Sequence, residues 1–174
     1  MGNEGATKGK RSRRTPKRAV TWQWEGDDGK WINYDTSMGH QLTTALLKGD
    51  RDVTIQVSTS VKLKVRFGTM TQMNVATGWQ RNVRCVPSRG SREEKGRWEW
   101  QDEHGKWNAY APPIQRLLRA CELCGVEETE IEAQGRNYKV DLDNKKQINV
   151  DTRVEREIRH TSSKEEDGET FNIT

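Results

Sequence analysis

The sequence predicts an α+β protein made of two copies of one small unit, each a strongly bent, mainly antiparallel sheet with one helix packed across it. Three observations lead there. An aromatic frame is written twice: Trp22, Trp24, Gly29, Lys30, Trp31 and Tyr34 recur as Trp98, Trp100, Gly105, Lys106, Trp107 and Tyr110, at an offset of 76. The back of each block repeats as well. "VRFGTMTQMNVATGWQRNVRC" (65–85) aligns with "VDLDNKKQINVDTRVEREIRH" (140–160) at an offset of 75, sharing Val65/Val140, Gln72/Gln147, Asn74/Asn149, Val75/Val150, Thr77/Thr152, Arg81/Arg156 and Arg84/Arg159. Matches at both ends of two blocks mark an internal duplication. Finally, only 31% of the 174 residues are hydrophobic and 32% are charged. That composition suits two small domains better than one large core.

Each block has the same plan. "TWQWE" alternates aromatic and polar residues, which is the period of a half-buried strand. "GDDG" is turn chemistry and returns the chain into "KWINY" as a hairpin; the second copy turns through "QDEHG". A short helix follows. In copy one Ser37 is the expected cap, with Met38, Leu42 and Leu46 facing inward and Gly49 ending the helix. In copy two Pro112 and Pro113 open it, because a first-turn residue needs no N–H. Ile114, Leu117, Leu118 and Cys121 then recur on one face, and Gly125 ends it. The rest is β: "VTIQV"; "VKLKVRF", with Val61, Leu63, Val65 and Phe67 on one side; "NYKVDLD", with Tyr138, Val140 and Leu142 on one side; and last strands "RNVRCV" and "REIRH". The segments around Gln72 and Gln147 carry no apolar alternation and read as loops. A unit this small has a marginal core, and its tryptophans supply the missing area, each burying ~150–250 Å². Most of the repeated tryptophans are therefore expected in the core.

The expected organisation is a basic disordered head (1–19), a first domain (20–86), a linker "PSRGSREEKG" (87–96), a second domain (97–160) and an acidic disordered tail (161–174). The head holds seven basic side chains against one acidic. It is the one place where nucleic acid or an import receptor would be read, and binding to nucleic acid is not expected elsewhere. No stretch approaches the eighteen apolar residues of a membrane span, and no apolar signal core follows Met1. Three cysteines, Cys85, Cys121 and Cys124, argue for a reducing compartment, cytoplasmic or nuclear, over a disulfide framework. The lone "CELC" lacks the second ligand pair that zinc needs, and Cys121 lies on the apolar helix face. His40, His104 and His160 sit in unlike contexts. No nucleophile–base set and no phosphate loop is present, so the chain reads as a binding module and not an enzyme, with no cofactor.

Trp-x-Trp, then Gly-x-Trp-x-x-Tyr, a short helix, a strand, and a Gln-x-Asn segment followed by two arginines together resemble the WWE domain. The resemblance covers residues 20–86 and 97–160. A tandem pair is similar to the N-terminal module of Deltex-type ubiquitin ligases. It implies two half-barrels, each with a helix across it, that recognise ADP-ribose units or poly(ADP-ribose) at one end of the half-barrel. By position, the pocket residues it implies are Tyr138, Gln147 and Arg156 in copy two, and Gln72 and Arg81 in copy one, where Leu63 replaces the Tyr. Trp79 and Lys64 are the residues that would compensate for that loss. The chemistry fits the ligand: an aromatic face for adenine, an amide that donates and accepts at a ribose or base edge, and a planar guanidinium for the diphosphate. A ubiquitin-pathway role follows from the same resemblance. The alternative it offers is a platform for ankyrin repeats of a Notch-type receptor.

Overall fold

Trp22 and Trp24 alternate with polar neighbours and place one face of the first strand inward, and the whole of the first sheet is built from that choice. A computed structural model describes residues 19–88 and 96–162. Residues 1–18, 89–95 and 163–174, which hold most of the expected head, linker and tail, lie outside the described residues, while Thr161 and Ser162, expected in the tail, belong to the last strand, where they pair with Arg97 and Gly96. Strands β1 (Val20–Glu25), β2 (Trp31–Asn33), β3 (Asp52–Gln56), β4 (Lys62–Arg66), β5 (Thr71–Asn74) and β6 (Gln80–Pro87) form one six-stranded antiparallel sheet, in the order β2-β1-β6-β5-β4-β3. Helix α1 (Thr36–Lys48) packs on β1 and β3. The second copy repeats this with β7 (Gly96–Gln101), β8 (Trp107–Ala109), α2 (Pro112–Cys124), β9 (Glu128–Ala133), β10 (Arg136–Asp141), β11 (Lys146–Asn149) and β12 (Glu155–Ser162). Its order is β8-β7-β12-β11-β10-β9. The fold class is α+β, two half-barrels of the expected kind.

The last strand makes the bend. The front of β6, Gln80–Asn82, pairs with β5, while its back, Val83–Pro87, pairs with β1. β12 divides in the same way between β11 and β7. One eight-residue strand thus belongs to two halves of a curled sheet. Val65, Val83, Val140 and Ile158 lie at the centre of the curl, each at 3% exposure or less.

Two expectations are corrected. The cap of α1 is Asp35 and not Ser37: Asp35 is extended and its carboxylate accepts from the Met38 N–H at 2.8 Å, while Ser37 lies inside the first turn. The Gln72 and Gln147 segments are strands β5 and β11 and not loops. Their inward positions are polar, so the alternation is real but invisible to a hydrophobic pattern. The acidic strand β9 was also illegible, since Ile131 is its one deeply buried apolar side chain. Other helix signals hold. Gly49 and Gly125 end the helices at φ 79° and 78°, the left-handed turn that favours glycine. Ile114, Leu117, Leu118 and Cys121 are buried together.

The two copies share one continuous core. α2 packs against β6 of the first copy as well as against its own sheet, and α1 touches α2. Cys85, Cys121 and Cys124 are free and buried at this junction. The Cys85 thiol is held well above its ordinary value, first by its hydrogen bond with Cys124 and then by burial. Burial pushes Cys121 up to about 12. Both therefore stay protonated and behave as small apolar side chains.

Candidate functional site

The register brings the expected residues to one face. Gln147 lies directly opposite Arg156 across β11 and β12, and Gln72 opposite Arg81 across β5 and β6. Tyr138 pairs with Asn149 and Val140 with Gln147, so Tyr138 and Gln147 are diagonal neighbours on the inward face. In copy one Leu63 takes Tyr138's place, opposite Asn74. Tyr138, Gln147 and Arg156 are thus assembled on one face, as are Gln72 and Arg81.

The glutamines are less open than expected. Gln72 and Gln147 are 6% and 4% exposed. Each accepts from a tyrosine hydroxyl of its own aromatic frame: Tyr110 donates to Gln147 Oε1 at 2.7 Å, and Tyr34 donates to Gln72 Oε1. Burial pushes both hydroxyls above the ordinary tyrosine range, and Tyr138 adds to this at Tyr110. The tyrosine that closes each Gly-x-Trp-x-x-Tyr motif therefore fixes the amide's orientation. The sequence reading gave this tyrosine no such task, whose only written sign is that Tyr and Gln recur together.

The arginines are held from two sides. Arg156 lies over the Trp100 ring, 5.2 Å from its centroid, and bonds Glu103 in the hairpin turn at 2.9 Å. Arg81 lies over Trp24 at 5.4 Å and bonds Asp27 at 2.6 Å. The turn's own backbone N–H and then Arg156 hold the Glu103 carboxyl below the usual carboxylate range; Arg81 does the same for Asp27. Each guanidinium is thus stacked on indole and occupied by an exposed carboxylate that an anionic ligand can replace at little cost. Glu103 and Asp27 stand at matching places in "QDEHG" and "GDDG", a signal the sequence contained and the expected site omitted.

The copies differ around this frame. In copy one Trp79 is 65% exposed, and its ring centroid lies 6.0 Å from Arg81. With Arg81, Asp27, Thr71 and Asn82 it lines a cavity of about 420 Å³, within the range of small-molecule pockets. Val154 takes its place in copy two. Lys64 belongs to the opposite face of β4 from Leu63 and pairs with Asp52 at 3.2 Å, so it does not join the site.

The outer face carries a second arginine–tryptophan pair in each copy: Arg84 over Trp31 and Arg159 over Trp107, both at 4.3 Å. Beneath Arg159 lies Glu99, 2% exposed, bonded to both Arg159 and Arg97 at 2.8 Å. Burial pushes its carboxyl up, but these two guanidinium groups outweigh it and the net shift is downward. Gln23 does the corresponding work in copy one, accepting from Arg84 at 2.7 Å. Only Trp22 and Trp98 of the repeated frame are fully enclosed. Trp24, Trp31, Trp100 and Trp107 are half-buried platforms for arginine. Among the described residues no cluster of His, Cys, Asp and Glu has a metal-binding arrangement.

A family model described as the WWE domain matches residues 20–85 and 97–160. The chain is 27% identical over 151 residues to the E3 ubiquitin-protein ligase DTX1 of Xenopus laevis. It is 23% identical over 152 residues to the E3 ubiquitin-protein ligase DTX4 of Mus musculus. These alignments cover 83% and 80% of this chain and 24% of each relative, so the chain spans about a quarter of the length of the curated relatives it matches.

Proposed function

Because this chain belongs to the WWE family, with the domain present twice in tandem, we propose that it is a binding module that recognises ADP-ribose units or poly(ADP-ribose), principally through its second copy. The observation that supports this reading most is the grouping of Tyr138, Gln147 and Arg156 on one face, with Arg156 stacked on Trp100 and held by an exchangeable carboxylate. A diphosphate takes the place of Glu103 on Arg156, and Tyr138 offers a ring and a hydroxyl to the nucleoside. The inward end of copy one, with Trp79 and Arg81 beside a cavity, is the weaker candidate because it lacks the tyrosine. Two or three charge-assisted bonds of about 1.5–3 kcal/mol each are enough for micromolar affinity.

The named relatives are ubiquitin ligases, and this chain spans a quarter of them. In our reading it supplies recognition, in the cytoplasm or nucleus, that ties ADP-ribosylation to ubiquitin transfer carried out elsewhere. Calorimetry with ADP-ribose, iso-ADP-ribose and ATP tests the reading: heat with an ADP-ribose ligand that disappears in Arg156→Ala supports it. Unchanged binding by that variant, or no heat from any ligand, sinks it. The docking of the copies onto one another favours a second reading, a broad platform for ankyrin repeats of a Notch-type receptor. A pull-down on such repeats that survives Arg156→Ala separates the two.

A further inference from the structure

The outward faces of the two sheets carry opposite charge. Along β4, Lys62 and Arg66 are exposed and Lys64 is half-buried, all on the side away from the enclosed Val65. The adjoining strand β3 adds one carboxylate to this face, Asp52, which pairs with Lys64 at 3.2 Å. Lys62 and Arg66 have no acidic partner among the described residues. Copy two reverses the sign. There β9 exposes Glu128, Glu130 and Glu132, and β10 has Asn137, Lys139 and Asp141 where β4 has Lys62, Lys64 and Arg66. One fold carries both faces, so folding requires neither pattern. The three cations of β4 form a stripe about 13 Å long, by the rise of an extended strand.

The stripe adjoins the cavity of copy one. Across the sheet Arg66 stands opposite Thr71, and Thr71 opposite Asn82; in the next row Lys64 stands opposite Met73, and Met73 opposite Gln80. Thr71, Gln80 and Asn82 wall the cavity of about 420 Å³ that Arg81 and Trp79 also line. Neighbouring strands lie about 5 Å apart, so a single strand, β5, separates the cavity from the stripe. That strand offers Thr71 and Met73 on this face and no aromatic ring. A nucleic acid strand uses successive rings as stacking platforms, and none lies along this stripe, which therefore reads charge and not bases. The far side is bounded. Arg51, immediately before β3, bonds Glu130 at 2.8 Å and brings copy two's acidic strand against this edge. An anionic chain is thus attracted along β4 and repelled beyond it.

We propose that the outward face of copy one is a contact surface for poly(ADP-ribose): the polymer seats one unit in the cavity beside Trp79 and Arg81 and lays its neighbouring phosphates along Arg66, Lys64 and Lys62. The inference rests on the reading of the chain as an ADP-ribose module and extends it from a single unit at Arg156 to a polymer. It is tested on the whole chain with long poly(ADP-ribose), monomeric ADP-ribose and single-stranded DNA as probes, each titrated over a range of salt. Lys62→Gln/Arg66→Gln is expected to weaken polymer binding about tenfold and to make the slope of log affinity against log salt shallower by about 1.4, for two lost phosphate contacts. Binding of the monomer, carried by copy two, is expected to stay unchanged. Lys139→Gln/Lys146→Gln removes the same charge from the outward face of copy two and is expected to leave polymer binding near that of the wild type. Equal losses in the two double variants overturn the proposal, because bulk charge then explains the binding. So does wild-type affinity for DNA that equals its affinity for the polymer. A wild-type chain that ignores monomeric ADP-ribose overturns the underlying reading, whereas polymer binding equal in wild type and Lys62→Gln/Arg66→Gln overturns this inference alone.

Discussion

Trp22 and Trp98 hold the same place in two copies of one fold, equally buried, yet among the described residues only Trp22 has an acceptor for its indole N–H. The difference teaches which part of a duplicated residue is bound to the fold. The ring's bulk is needed in each copy, because a half-barrel this small has no core without it. The polar atom is not needed by the fold and has followed its own course. The same division runs through other pairs: Glu99 against Gln23, Tyr138 against Leu63, and Val154 against Trp79.

Substituting the indoles tests this division most severely. Trp22→Ala and Trp98→Ala are each expected to cost about 3–5 kcal/mol in urea denaturation. Phenylalanine separates them. Trp22→Phe strips Thr43 of a buried donor, which costs about 1–3 kcal/mol beyond the change in volume, whereas Trp98→Phe removes a donor that had no acceptor. Equal losses for the two Phe variants would break the comparison.

The tyrosine–glutamine unit is expected to be the same in the two copies. Tyr34→Phe and Tyr110→Phe should each cost about 1–3 kcal/mol, read from unfolding curves, because each leaves a buried amide oxygen without its donor. A large inequality between them would mean that the copies differ at this unit too.

Glu99 gives a smaller effect with a pH signature. Glu99→Ala is expected to cost about 1–3 kcal/mol and Glu99→Gln less than about 1 kcal/mol, since Gln23 already serves under an arginine in copy one. The folded carboxyl is depressed below its unfolded value. Its contribution is therefore present above the ordinary carboxylate range and is lost as pH falls through the depressed value. Glu99→Gln should flatten that part of the acid unfolding profile. Arg156→Ala comes last for stability, within about 1 kcal/mol by thermal melt, because its ion pair with Glu103 is largely solvated. Its expected loss is of ligand heat and not of fold.

The duplication and the fold were legible because they are written in large side chains and turn residues: the tryptophan frame, the prolines opening α2, and the glycines ending both helices. Strands β5 and β11 were not, because their inward positions are polar: Gln72 and Gln147 are satisfied by tyrosines far along the chain, and Asn74 and Asn149 by backbone N–H groups two and three residues on. The site was legible as a set of residue types and illegible as a network. That Tyr110 reaches Gln147, that Trp100 lies under Arg156, and that Glu103 closes the hairpin onto it all depend on strand register. The division of labour among the tryptophans was hidden for the same reason, since core rings and arginine platforms share one motif.

The packing of α2 on β6 has a consequence for any ligand that is a polymer. The distance between the Arg81 end of one half-barrel and the Arg156 end of the other is set by buried side chains, so the linker's length does not govern it. A flexible tether would let two sites sample many separations and would dilute the second encounter. A fixed separation acts as a gauge. Chains whose repeating units match it gain avidity, by as much as ~10²–10⁴ over one site, and chains that do not match gain none.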